Sequence, residues 1–151
     1  MFENNTQILA LDMATKTGWA SQGMSGVQEF TLNRGESPGM RFLRFRAWLN
    51  NMYSLIPGLN VIVYEQAHHR GGYATSLCVG LVTETLAFAA DKNIETMPVH
   101  SATLKKWATG KGNANKDAMM KAAKKFGHDP KDDNEADAIL LYKYAESTLG
   151  V

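Results

Sequence analysis

Gln7-Ile8-Leu9-Ala10-Leu11-Asp12-Met13 decides the fold. Its apolar residues are successive rather than alternate, so a strand over 7–13 would be buried on both faces and lie centrally in a sheet. The run meets a carboxylate at Asp12. The pattern returns at Val61-Ile62-Val63-Tyr64, closed by Glu65, and in reverse where Asp137 opens Ala138-Ile139-Leu140-Leu141-Tyr142. A charge beside a buried run is costly to desolvate unless something pairs with it. Three such acids, far apart in sequence, imply one shared site that needs a cation. That in turn implies metal-dependent chemistry on phosphate esters.

Working outward, a turn is expected at 15–18, a second strand from Trp19, a turn at 23–26 and a third strand over 27–32, which together make an antiparallel meander. Phe42, Phe45, Leu49 and Met52 recur at a helical period within 40–55, and Pro57-Gly58 ends that helix. A fourth strand occupies 60–65 and a glycine-containing loop 68–73. A long apolar helix follows over 74–91. Its small residues Gly80, Ala87, Ala89 and Ala90 suggest burial on more than one side and a subunit contact. A fifth strand at 95–99 precedes a short helix capped by Ser101, a basic helix over 116–126 stopped by Gly127, and a last helix capped by Asp132 or Asp133. The order βββαβαβααα gives an α/β chain with a mixed five-stranded sheet and helices on both faces. Should the fourth strand lie beside the first, Asp12 and Glu65 become neighbours.

The 151 residues suit a single domain, 1–151, with no internal repeat or linker. One cysteine, Cys78, excludes an intrachain disulfide and a cysteine-based zinc site, and fits a reducing, cytoplasmic compartment. No signal peptide is evident, and no apolar run reaches the ~20 residues of a membrane span. The net charge of +1 conceals a strong asymmetry. Lys105, Lys106, Lys111, Lys116, Lys121, Lys124 and Lys125 face one acid, Asp117, within their own segment. Arg34, Arg41, Arg44 and Arg46 form a second basic group with only Glu36 nearby. Basic patches around an acidic centre suit a polyanionic substrate, although lysine runs are also ordinary solvated helix faces.

The succession of elements and acids resembles the ribonuclease H-like superfamily, and within it the RuvC-type Holliday junction resolvases of short, phage-encoded form. Four segments carry the resemblance, which covers about residues 7–146. They are Ile8-Leu9-Ala10-Leu11-Asp12 with Thr17-Gly18-Trp19-Ala20; Val61-Ile62-Val63-Tyr64-Glu65-Gln66; Leu104-Lys105-Lys106 with Thr109-Gly110-Lys111-Gly112 and Asn113-Ala114-Asn115-Lys116; and Asn134-Glu135-Ala136-Asp137-Ala138. The resemblance implies Asp12, Glu65 and Asp137 as catalytic metal ligands for Mg²⁺ or Mn²⁺, two ions per site. Asp133 and Asn134 are rivals for a fourth place. The family puts Asp or His three residues before its final Asp, where this chain has Asn134.

Lys105 and Lys116 match the family's functional lysines, one stabilising charge on the transferring phosphate and the other holding the backbone. Lys106 and Lys111 would contact phosphate. In the loop after Glu65, His68, His69 and Tyr73 would stack on junction bases with Arg70 on phosphate. Asp132 reads as an N-cap, Cys78 as inert packing, and Trp19, Trp48 and Trp107 as core or half-buried packing.

The implied activity is a structure-selective DNA endonuclease. It would resolve four-way or branched DNA as a homodimer and leave 5′-phosphate and 3′-hydroxyl ends. Competing readings are an RNA-processing or hybrid-cleaving nuclease of the same fold (YqgF-like or ribonuclease H) and a non-catalytic DNA-binding module. A sugar kinase or actin-like ATPase would need a duplicated domain, for which 151 residues are too few.

Overall fold

A computed structural model describes residues 5–66 and 72–151. The elements are β1 (Gln7–Asp12), β2 (Lys16–Ser21), β3 (Met24–Glu29), α1 (Gly39–Leu55), β4 (Leu59–Glu65), α2 (Tyr73–Asp91), β5 (Glu95–Val99), α3 (Ser101–Thr109), α4 (Lys116–Lys125) and α5 (Asp133–Leu149). This is the expected order. The strands form one sheet in the order β3-β2-β1-β4-β5. β1 pairs antiparallel with β2 and parallel with β4, so the most apolar strand is the central one.

Strand periodicity sorts the core into two layers. Ile8 and Ala10 of β1 and Val61 and Val63 of β4 face α3, α4 and α5. Leu9 and Leu11 of β1 with Ile62 and Tyr64 of β4 face α1 and α2. Continuing the alternation by one step puts Asp12 and Glu65 on the α5 face. On the opposite face Phe30 packs edge-on against Phe45 and Trp48, at 5.3 and 5.7 Å between ring centres.

Three expectations about local structure are corrected. Residues 16–18 are strand, not turn. The turn lies just before them, held by the buried Thr17 hydroxyl, which donates to the Ala14 carbonyl at 2.7 Å and accepts from its amide at 3.3 Å. β3 begins at Met24, because Gly23 at φ 77° makes a tight hairpin that pairs Ser21 with Met24. The N-cap of α3 is His100 rather than Ser101; its Nδ1 accepts from the Ala102 amide at 3.1 Å.

The reading of α2 also changes. Within the chain it is buried along one stripe, Leu77, Leu81, Thr85, Phe88 and Ala89. Gly80 serves an intrachain contact, since a Cβ there would lie 2.5 Å from the Phe42 ring of α1. By length and composition α2 is apolar enough for a short membrane span, with a mean hydropathy of 1.3 over its window. Its buried stripe and the Glu84 ion pair to Arg46 are those of a helix packed on a sheet. Three of the four arginines in the second basic group are engaged within the chain. Arg41 is buried and donates to the Phe30 carbonyl at 2.7 Å, Arg44 pairs with Glu36, and Arg46 pairs with Glu84.

Candidate active site

β1 and β4 run parallel with Leu11 opposite Tyr64, so Asp12 and Glu65 emerge side by side at their carboxyl ends. α5 crosses the same face and brings Asp137 to them. One carboxylate oxygen from each of the three acids lies within 4.8 Å of the others.

The start of α5 is fixed by three features. Asp132 is the N-cap, its Oδ1 accepting from the Glu135 amide at 2.9 Å, as expected from sequence. Buried Glu135 accepts from the Lys131 amide at 2.8 Å and from the Ser25 hydroxyl of β3 at 2.7 Å. Gly18 of β2 lies directly under the helix start, where a Cβ would stand 1.9 Å from the Asn134 carbonyl oxygen. The helix therefore sits closer to β2 than any side-chain-bearing residue would permit.

Electrostatically the centre is a cluster of unbalanced negative charge. Burial, and then the charges of Asp137, Glu65, Asp133 and Asp132, hold the Asp12 carboxyl well above the usual carboxylate range. Asp137 is pushed up to about 7, first by burial and then by Glu65 and Asp133, with Lys105 and Lys116 pulling the other way. Such a cluster is stable in its ionised form only beside a positive charge.

The donor set fits a hard divalent cation. Mg–oxygen bonds of about 2.1 Å place neighbouring ligand oxygens about 3 Å apart and opposite ones about 4 Å apart. A spacing within 4.8 Å is close to that range, so Asp12, Glu65 and Asp137 could together hold such an ion.

Of the other predicted residues, Lys105 and Lys116 both act on Asp137 electrostatically. Lys116 Nζ also lies 3.5 Å from the Asp133 carboxylate. Asp133 and Asn134 precede Asp137 by four and three residues on one helix, so both share its face. The charge of Asp133 reaches both Asp12 and Asp137, and Asn134 brings no charge. Lys106 and Lys111 are exposed and are not among the charges acting on Asp137. Tyr73 is the exposed first residue of α2, with its hydroxyl accepting from Arg41 Nη1 at 2.8 Å. His68, His69 and Arg70 lie outside the described residues.

Sequence reasoning missed the neighbourhood of Cys78. It lines a cleft of about 230 Å³ together with Asp12, Glu65 and Thr75. Burial, then the charges of Asp12 and Glu65, push its thiol up and keep it protonated. Its position five residues after Tyr73, the first residue of α2, gave no hint of this.

A pH-dependent stability follows from Asp137. Its folded value of about 7 exceeds the unfolded value of about 3.9, so between these the folded chain retains a proton that the unfolded chain has lost. The stability associated with that proton is full below about pH 4 and is lost as pH rises through 7. In metal-free buffer, the melting temperature of Asp137→Asn relative to wild type should therefore climb between about pH 5 and about pH 8. A difference that stays flat over that interval would show that Asp137 is not buried among like charges.

No family model matches the chain, and no curated protein sequence matches it. Solved structures do. Thermus thermophilus RuvC in complex with a Holliday junction substrate superposes with a TM-score of 0.76 at 14% identity, over 95% of this chain and 96% of that one. A second Thermus thermophilus RuvC structure gives 0.71 at 15% identity, over 96% of this chain and 97% of that one. With near-complete mutual coverage at these TM-scores, this mixed five-stranded sheet flanked by helices has a RuvC-type fold of the ribonuclease H-like class.

Proposed function

We propose that this protein is a metal-dependent, structure-selective DNA endonuclease that resolves four-way or otherwise branched DNA. The reading rests above all on the convergence of Asp12, Glu65 and Asp137 within 4.8 Å at the strand ends of a RuvC-type fold. One of the similar structures holds a Holliday junction substrate, which supports the choice of DNA class.

Bound divalent ions, Mg²⁺ or Mn²⁺ and two per site, would activate water and stabilise the leaving oxygen of an in-line displacement at phosphorus. Asp12, Glu65 and Asp137 hold the ions, with Asp133 or Asn134 completing the set. Lys105 and Lys116, already acting on Asp137, place positive charge where the transferring phosphate develops negative charge. Hydrolysis leaves 5′-phosphate and 3′-hydroxyl ends. Lys106 and Lys111, exposed on the same basic segment, hold the strand outside the site. His68, His69, Arg70 and Tyr73 contact the junction centre.

Symmetric cleavage of a four-way junction needs two such sites and hence a homodimer. Exposed Val79 and Leu86, seven residues apart on α2, offer an apolar stripe for that contact. The reducing cytoplasm of a bacterial cell, with the chain phage-encoded, is the setting this activity fits.

A synthetic four-way junction, an RNA–DNA hybrid and a structured RNA, each incubated with Mg²⁺, test the substrate. Paired nicks in the junction, with the other two intact, are expected. Preferential cutting of hybrid or RNA would replace this reading with the ribonuclease alternative. No cutting of any, together with no Mg²⁺ or Mn²⁺ uptake by calorimetry, would leave a binding module.

A further inference from the structure

Two half-exposed aromatic rings stand out on the basic side of the molecule. Trp107 of α3 and Phe126, just past α4, keep 37% and 45% of their surface exposed. Their rings lie parallel, 5° apart in plane and 5.9 Å between centres. Tyr144 of α5 supports Trp107 edge-on at 5.6 Å, and Lys143 Nζ lies 5.9 Å from the Phe126 ring centre. The pair is thus half-buried packing, as the sequence suggested for Trp107, but packing that leaves a flat aromatic surface in water.

Burying these rings against one another did not require exposed aromatics at the surface, since α3 and α4 already meet the core through Leu104, Met119, Ala122 and Ala123. What surrounds them is informative. Lys106 adjoins Trp107, Lys124 and Lys125 adjoin Phe126, and all three lysines are exposed. Exposed lysines next to both rings in sequence, and Lys143 over one of them, favour a polyanionic partner over a neutral apolar one. A polyanion that carries flat apolar rings fits both features at once.

The position is also informative. Tyr144 follows Asp137 by seven residues on one helix, which places the platform about 10 Å further along α5 from the carboxylate centre. That span is roughly three nucleotide steps at the ~3.4 Å rise of a helical strand. α3 and α4, which lead to the two rings, also carry Lys105 and Lys116, whose charges reach Asp137.

We infer that Trp107 and Phe126 form a stacking platform for an unpaired base of the nucleic-acid strand, a few nucleotides from the carboxylate centre, with Lys106, Lys124 and Lys125 holding its phosphates. This rests on the nucleic-acid reading above and adds a contact separate from the loop after Glu65. Stacking on an aromatic side chain tolerates any base, so the platform contributes affinity and strand position rather than sequence choice.

The test measures binding without cleavage. Fluorescence anisotropy in metal-free buffer would compare wild type, Trp107→Leu and Phe126→Leu with a labelled branched DNA bearing a single-stranded arm. The same DNA with abasic sites throughout that arm is the control. Both variants should bind the normal DNA about tenfold more weakly, while all three proteins bind the abasic DNA within about twofold of one another.

Either variant binding normal DNA as tightly as wild type, or wild type failing to distinguish normal from abasic arms, overturns the inference. Because wild type alone provides the second comparison, a folding defect in a variant cannot decide the outcome. An altered monomer–dimer distribution in sedimentation with unchanged DNA affinity would assign the platform to a second copy of the chain and also overturn it. Absence of any wild-type binding to branched DNA would instead remove the nucleic-acid reading itself.

Discussion

Asp12→Asn should abolish Mg²⁺-dependent cleavage of a four-way junction while leaving junction binding intact. Asp12 ends the central strand and belongs to the carboxylate group that converges within 4.8 Å. The amide keeps the size and one carbonyl oxygen but removes the charge that a hard cation needs. Losing about 4 kcal/mol of transition-state stabilisation corresponds to about a thousandfold in rate, and metal-ion catalysis supplies several kcal/mol of that kind. Binding should persist, because the lysines proposed to meet phosphate lie on α3, on α4 and between them. The variant should also be no less stable than wild type without metal, since burial and four neighbouring acids disfavour the Asp12 charge. Cleavage assays and gel-shift titrations on the same preparation check this. Cutting at the wild-type rate would sink the proposed centre.

Gly18→Ala should be the most damaging glycine-to-alanine change among the described residues. The new Cβ would meet the Asn134 carbonyl oxygen at 1.9 Å and its carbonyl carbon at 2.3 Å. Both sides of the contact are backbone, so no side chain can swing aside, and α5 must retreat by more than an ångström. Overpacking costs about 1–3 kcal/mol, and a backbone-to-backbone clash belongs at the top of that range. Against a total stability of about 5–15 kcal/mol, the expected loss is about 3 kcal/mol, or roughly 10 °C in melting temperature. Calorimetric metal titration of the surviving folded protein should show weaker binding, because Asp137 rides on the displaced helix. Melting within about 2 °C of wild type would show that the helix does not bear on β2 at this point.

The sequence conveyed more of the fold than of the site's fine structure, and the reason lies in which forces write a local signature. β1, β4 and α5 are long apolar runs whose burial dominates their energetics, so their identity and order could be read directly. The register of β1 on β4 could be anticipated because both runs end in a carboxylate. By contrast, Lys16-Thr17-Gly18 has the composition of a turn, and pairing with β1 and β3 makes it a strand, with α5 closing over Gly18 from over 110 residues later. The arginines of α1 looked like a patch because Glu84, the partner of Arg46, comes from another helix. Gly80 and its small neighbours suggested a subunit contact, yet Phe42 of the same chain occupies the space over Gly80. Glu135 carries no sequence mark of its role, since its partner Ser25 lies across the fold. Each of these depends on tertiary pairing, which no local window contains.

Chain order gives the carboxylate cluster a temporal meaning. Asp12 and Glu65 belong to strands made early, whereas Asp137 belongs to the last helix. At about 5–20 residues per second, roughly 4 to 14 seconds of synthesis separate Glu65 from Asp137. Until α5 arrives, the face formed by Ile8, Ala10, Val61 and Val63 has lost its principal cover, and the cation site lacks one wall. A growing chain of this design cannot assemble its carboxylate centre before its own fold is closed. The step that seals the hydrophobic layer is the step that completes the carboxylate cluster.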